Sequence, residues 1–167
     1  MSQRFGWGHI NINVSDLDAS IRFYQILGFE LFIPGIPYLD LGTERPNEMS
    51  PGAANALGIP AGARGRACIM QLDNGFPKID LTELADLEQR EPLQNQDRGL
   101  VRLCLVSRDL AADVDYLASQ GVEFLSPPET CHERLAEVAT CKDPDGTLIE
   151  LLQVHLERWP SIPGAGN

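Results

Sequence analysis

Residues 8–30 read G-H-I-N-I-N-V-S-D-L-D-A-S-I-R-F-Y-Q-I-L-G-F-E, and residues 101–123, offset by 93 positions, read V-R-L-C-L-V-S-R-D-L-A-A-D-V-D-Y-L-A-S-Q-G-V-E. Asp16-Leu17 returns as Asp109-Leu110, Ala19 as Ala112, Ile21 as Val114, Gly28 as Gly121 and Glu30 as Glu123, all without a gap. An offset held through a strand, a helix and its stop signal marks an internal duplication, one supersecondary unit used twice.

Within the first copy, His9 to Val14 alternates, with Ile10, Ile12 and Val14 on one side and His9, Asn11 and Asn13 on the other, which predicts a two-faced strand. Ser15 or Asp16 caps a helix with the apolar stripe Leu17, Ile21, Tyr24 and Leu27. Gly28 supplies the left-handed exit, and Phe29 to Ile33 returns as a strand. Pro34 to Arg64 is dense in proline, glycine and alanine and reads as a long, mobile, lid-like loop. Within it Tyr38–Leu41 can pair as a short strand and Ala53–Leu57 can make a helical turn. Arg66–Leu72 and Lys78–Leu84 read as strands about the turn Asp73-Asn74-Gly75. The polar stretch 85–98 is the expected linker between a first module (1–84, with 34–64 as the loop insertion) and a second (99–155). The second module predicts strand Val101–Val106, helix Asp109–Gln120, strands Val122–Leu125, Glu137–Cys141 and Leu148–Val154, and then a C-terminal tail, 156–167, loose from Trp159 onward.

The chain has 167 residues, 43% of them apolar, enough to bury a core. Its net charge of −11, from 13 basic and 24 acidic residues, argues against nucleic acid and anionic membrane surfaces as partners. An anionic small molecule remains compatible where one cation is placed locally. With no membrane-length apolar run and no signal-peptide core, the expected location is cytoplasmic. Cys68, Cys104, Cys131 and Cys141 form no C-x-x-C pair and read as reduced, mostly buried thiols.

Laid side by side, four strands put Ile10/Ile12, Ile79/Leu81, Leu103/Leu105 and Ile149/Leu151 toward the helices. The opposite faces carry His9 with Asn11 and Asn13, Asp80 with Thr82, Arg102 with Cys104, and Glu150 with Leu152. A solvated sheet face gives the same pattern. Cys104 reads as a packed thiol, Glu83 as a surface residue, and His132 and His155 as solvated or structural.

The repeated stretch and the D-P-D-G-T-L-I-E-L-L-Q run at 143–153 resemble the vicinal oxygen chelate superfamily of glyoxalases, bleomycin-resistance proteins, extradiol dioxygenases and coenzyme A thioester epimerases. The resemblance implies an α+β fold of two β-α-β-β-β modules, with mixed sheets curled into an open cup around a divalent metal. It also implies a homodimer acting on a small molecule. His9, Asp80 and Glu150 fall on three of the family's metal-ligand positions, and Arg102 stands on the fourth. A guanidinium is always protonated and cannot ligate. One imidazole and two carboxylates suit Zn, Ni, Mn or Fe(II) with water in the open positions. With a metal the site is net positive; without one it is net negative and Arg102 serves as counter-ion to the carboxylates. The residues fit both.

Three functions are open, the third being a catalytically silent paired-module protein. The first is a glyoxalase-like lyase, isomerase or epimerase that stabilises an enediolate or enolate on the metal. There Glu150 or Asp80 would be the base and Arg102, Asn11 and Asn13 would bind substrate. The second is a metal-free binder of the bleomycin-resistance kind, holding its ligand against aromatics such as Trp7, Phe32 and Tyr38.

Overall fold

The computed structural model describes residues 4–85, 87–88 and 90–159. The chain divides into two compact units, Met1–Glu91 and Pro92–Asn167, with the boundary inside the polar 85–98 stretch. Both are mixed α+β, and none of their sheets closes into a barrel. Among the described residues no helix is long and apolar enough to cross a membrane.

Unit 1 begins with β1 (His9–Val14) and α1 (Leu17–Ile26). Asp16 caps α1 by accepting from the Ala19 amide at 3.0 Å. At the other end Gly28, at φ +93°, donates to Gln25 O while Phe29 N donates to Tyr24 O, the paired bonds of a Schellman stop. Strand β2 (Glu30–Ile33) follows, and β6 (Arg64–Gln71) and β7 (Lys78–Leu84) complete a sheet ordered β1-β7-β6-β2. Strand β1 lies parallel to β7, with Asn11 opposite Asp80; β7 and β6 are antiparallel. Ile12, Val14, Ile79 and Leu81 face Leu17 and Tyr24 in one buried layer, with Tyr24 set edge-on to Phe23 and Phe29. The stripe on α1 is rotated slightly from expectation: Ser20 and Phe23 are buried, whereas Ile21 and Leu27 are only half-buried.

The segment predicted as a mobile lid is folded. Gly35–Ile36 (β3) pairs with Leu41–Gly42 (β4) around a 3-10 turn at Pro37–Leu39, where a strand was expected, and Asp40 takes the left-handed conformation. Asn47–Glu48 (β5) adds to β6, and Pro51–Leu57 (α2) starts on its proline and stops at Gly58. Apolar side chains between the breakers decide this outcome: Ile36, Leu39, Leu41, Met49 and Ala54 form one buried cluster with Ala67 and Leu84. By strand alternation Ala67 and Leu84 lie on the same side of the sheet as Asp80 and Thr82. The segment therefore covers part of the face that carries Asp80.

Unit 2 repeats the plan with β8 (Arg102–Val106), α3 (Leu110–Ser119), the short β9 (Glu129–Thr130), β10 (Ala136–Lys142) and β11 (Leu148–Val154), ordered β8-β11-β10-β9. Asp109 caps α3 at the Ala112 amide, and Gly121, at φ +87°, closes it with the same pair of bonds. Val122–Leu125 was expected as a strand and makes only an isolated bridge, Phe124 to Cys141. Pro127 and Pro128 follow at once and lack the N–H groups that would extend the ladder. At the C-terminal end 156–158 forms a 3-10 turn, and the Trp159 indole donates to Leu135 O at 3.1 Å, so the expected tail begins packed; 160–167 lie outside the described residues.

Candidate functional site

In unit 1 the parallel pairing of β1 with β7 sets His9, Asn11 and Asn13 beside Lys78, Asp80 and Thr82 on the non-helix face. Asn11 Nδ2 donates to Thr82 Oγ1 at 3.0 Å, and Thr82 Oγ1 donates to Asp80 Oδ1 at 2.9 Å. His9 Nε2 stands 3.7 Å from Asp80 Oδ2, in ion-pair reach but longer than a hydrogen bond. Asp80 is 2% exposed, and burial pushes its carboxyl above the ordinary value, only partly countered by Thr82, His9 and Asn11. Tyr38, itself exposed, has its phenol raised by partial burial and by the Asp80 charge. Asn13 is exposed further along β1, as are Trp7 and Phe32, the latter on β2.

In unit 2 the same register puts Cys104 opposite Glu150 and makes Arg102 the counterpart of His9. Arg102 Nε donates to Glu150 Oε2 and Nη1 donates to Asn95 Oδ1 at 2.8 Å, while Nη2 bonds to none of the described residues. The Cys104 thiol lies 3.9 Å from Glu150 Oε1, and burial followed by that carboxylate pushes its pKa up, which makes it a poor nucleophile. The four cysteines are free; Cys68 and Cys141 are buried, with thiols pushed up to about 12 and about 11 chiefly by burial. Cys104 and Cys131 are exposed, against the expectation of mostly buried thiols.

Glu83 is not a surface residue. It accepts from Arg66 Nε and Nη2 at 3.2 and 2.7 Å and from the Leu17 amide at 2.8 Å, so it ties β6 and β7 to the start of α1. Gln153 holds the corresponding place in unit 2, accepting from the Leu110 amide at 2.7 Å. His132 is exposed, and His155 is largely buried between Glu137 and Glu157, in keeping with solvated and structural roles.

Sequence reasoning passed over Lys78 and Asn95. Lys78 has the parity of Asp80 and Thr82 and was open to the same alternation argument. Asn95 lies in the linker, where no periodicity marks a side chain that will meet Arg102.

The donor chemistry bears on a divalent metal. Unit 1 offers two donors, His9 and Asp80; in unit 2 Glu150 is engaged by a guanidinium that cannot ligate. Among the described residues no group of three or more His, Cys, Asp or Glu side chains is placed to hold a metal ion. Neither unit's own donor set fits one.

The family model for the Glyoxalase/Bleomycin resistance protein/Dioxygenase superfamily matches residues 6–151. Among solved structures, a glyoxalase family protein from Bacillus cereus is 18% identical with TM-score 0.70, covering 92% of this chain and 96% of its own. A glyoxalase family protein from Enterococcus faecalis is 22% identical with TM-score 0.58, covering 86% of this chain and 94% of its own. The trypanothione-dependent glyoxalase I of Leishmania major is 20% identical with TM-score 0.55, covering 87% and 84%. No curated protein matches the sequence. These likenesses are of fold, and the match over residues 6–151 carries the assignment: the chain belongs to the glyoxalase/bleomycin resistance protein/dioxygenase superfamily.

Proposed function

We propose that the chain binds a small anionic organic molecule on its polar sheet faces, using fixed side-chain cations in place of a divalent metal. The observation that carries this reading is Arg102, oriented by Glu150 at Nε and by Asn95 at Nη1, with Nη2 bonded to none of the described residues. A guanidinium held this way offers its free N–H groups to an anionic oxygen with little ordering left to lose.

A second reading, proton transfer on the bound molecule, is favoured by one observation. Asp80 stands beside the His9 imidazole, Oδ2 at 3.7 Å from Nε2, where it can orient the ring. His9 would then exchange a proton with a carbon acid whose developing oxyanion is held by a fixed cation.

Metal analysis of protein purified without a histidine tag or chelator tests the proposal. Metal far below one equivalent is expected, together with a roughly 10- to 100-fold loss of affinity for a small carboxylate in Arg102→Ala, the cost of a charge-assisted contact. Stoichiometric Zn, Ni, Mn or Fe that is lost on His9→Ala or Glu150→Ala would overturn it and restore the His9, Asp80, Glu150 ligand set. The homodimer belongs to the same proposal and is checked by sedimentation equilibrium.

A further inference from the structure

Lys78 is the one Lys or Arg buried among the described residues, at 6% exposure, and none of those residues places a carboxylate within ion-pair distance of it. Nζ donates to Gln71 Oε1 at 2.8 Å and sits 4.8 Å from the centroids of both the Phe32 and Phe76 rings. Register places Lys78 opposite His9, at the end of the row that continues through Asp80 and Thr82.

A neutral amide and two ring faces compensate a buried ammonium only in part, because burying a charge without an opposite charge is costly. Arg66 shows how this chain treats a structural cation: it pairs with both Glu83 and Asp18. In a protein with 24 acidic residues, a cation without such a partner is conspicuous. The covering rings add a second clue, since Phe32 and Phe76 are 48% and 63% exposed, an apolar rim open to solvent above a fixed positive charge. A methionine would fill the same space at lower cost, so the charge itself needs a reason.

We infer that Lys78, Phe32 and Phe76 form an anchor for a carboxylate carried on a flat apolar group. The carboxylate takes the ammonium N–H groups that Gln71 leaves unused, and the apolar group lies against the two rings. A single ammonium balances a monoanion and leaves a phosphate dianion half-compensated, which favours the carboxylate. The inference rests on reading the His9–Asp80 face as a ligand surface, and it extends that face to a recognition group the metal-ligand positions do not include.

Benzoate is the probe, added to the full chain and followed by the ring resonances of Phe32 and Phe76 and by the melting midpoint. Saturable shifts of both rings and a raised midpoint are expected. Lys78→Met should weaken binding roughly 10- to 100-fold. Phe76→Ala, a change at an exposed ring that leaves the core intact, should weaken it as well and keeps the test open if Lys78→Met does not fold. Benzyl alcohol, the same ring without the charge, should bind at least about tenfold more weakly. Equal binding of benzyl alcohol, unchanged affinity in both variants, preference for inorganic phosphate, or no saturable shift would each overturn the anchor. Benzoate binding that depends on Lys78 in a protein carrying stoichiometric metal would sink the metal-free proposal and leave the anchor standing. Binding lost in Arg102→Ala but retained in Lys78→Met would do the reverse.

Discussion

Burial disfavours the charged form of Asp80, and the cost is open to titration. Its folded-state pKa is raised above the ordinary 3.8, mainly by burial. The folded protein therefore binds this proton more tightly than the unfolded chain, and the group's stabilising contribution, complete below 3.8, is lost as pH rises through the raised value. Asp80→Asn keeps an oxygen to accept from Thr82 and removes the buried charge, so its melting midpoint should exceed that of the parent at pH 7, with the difference shrinking toward pH 4. A variant less stable at pH 7 would show that the ionised carboxylate is compensated after all. Gly28 and Gly121 mark the other end of the residue scale, since both hold left-handed φ and an added Cβ meets nothing closer than 3.6 Å at Gly28 and nothing within 4 Å at Gly121. Valine at either should cost on the order of 1–2 kcal/mol, from backbone conformation and not from crowding, read as a lowered urea midpoint.

Helix starts are where the two units show a shared construction that strand parity could not reveal. Counting alternation correctly put Glu83 off the Asp80 face, and then suggested solvent, because periodicity within one strand says nothing about what packs over it. The first turn of α1 lies there, and its Leu17 amide needs an acceptor. Glu83→Ala removes that cap and leaves Arg66 with only Asp18 and Thr43 O as partners, for an expected loss on the order of 2–3 kcal/mol in urea denaturation. Gln153→Ala removes only a neutral cap and should cost about 1 kcal/mol. Elements set by their own local pattern, such as β1, α1 and α3 with their stops at Gly28 and Gly121, were legible in the sequence. Val122–Leu125 was not, since its propensity suits a strand but the ladder it joins ends at the Pro127-Pro128 pair a few residues on.

At the scale of the whole molecule, residues 34–64 correct an inference from composition. Breakers forbid one long helix or strand, yet they do not forbid several short pieces sharing a core, and Ile36, Leu39, Leu41 and Met49 supply it. The amides of Met49 and Ser50, bonded to Ala63 O and Leu39 O at 2.9 Å, should exchange hydrogen far more slowly than those of the exposed turn at 73–75; equal rates would restore the mobile loop. The candidate site was half legible for a related reason. Alternation names which side chains share a face, but whether that face meets water or a roof of side chains is decided by chain far away in sequence, and so were the burial of Asp80 and the enclosure of Lys78. The duplication has one more consequence. A chain that contains two copies of a unit carries its own yardstick for change: the caps Asp16 and Asp109, the stops Gly28 and Gly121 and the braces Glu83 and Gln153 still correspond, while His9 has become Arg102, Asn11 has become Cys104 and Asp80 has become Glu150. The side chains of the polar sheet faces have thus changed while the caps, stops and braces kept their places, and Arg102→His is the single step that would return the imidazole–carboxylate pairing of the first copy to the second.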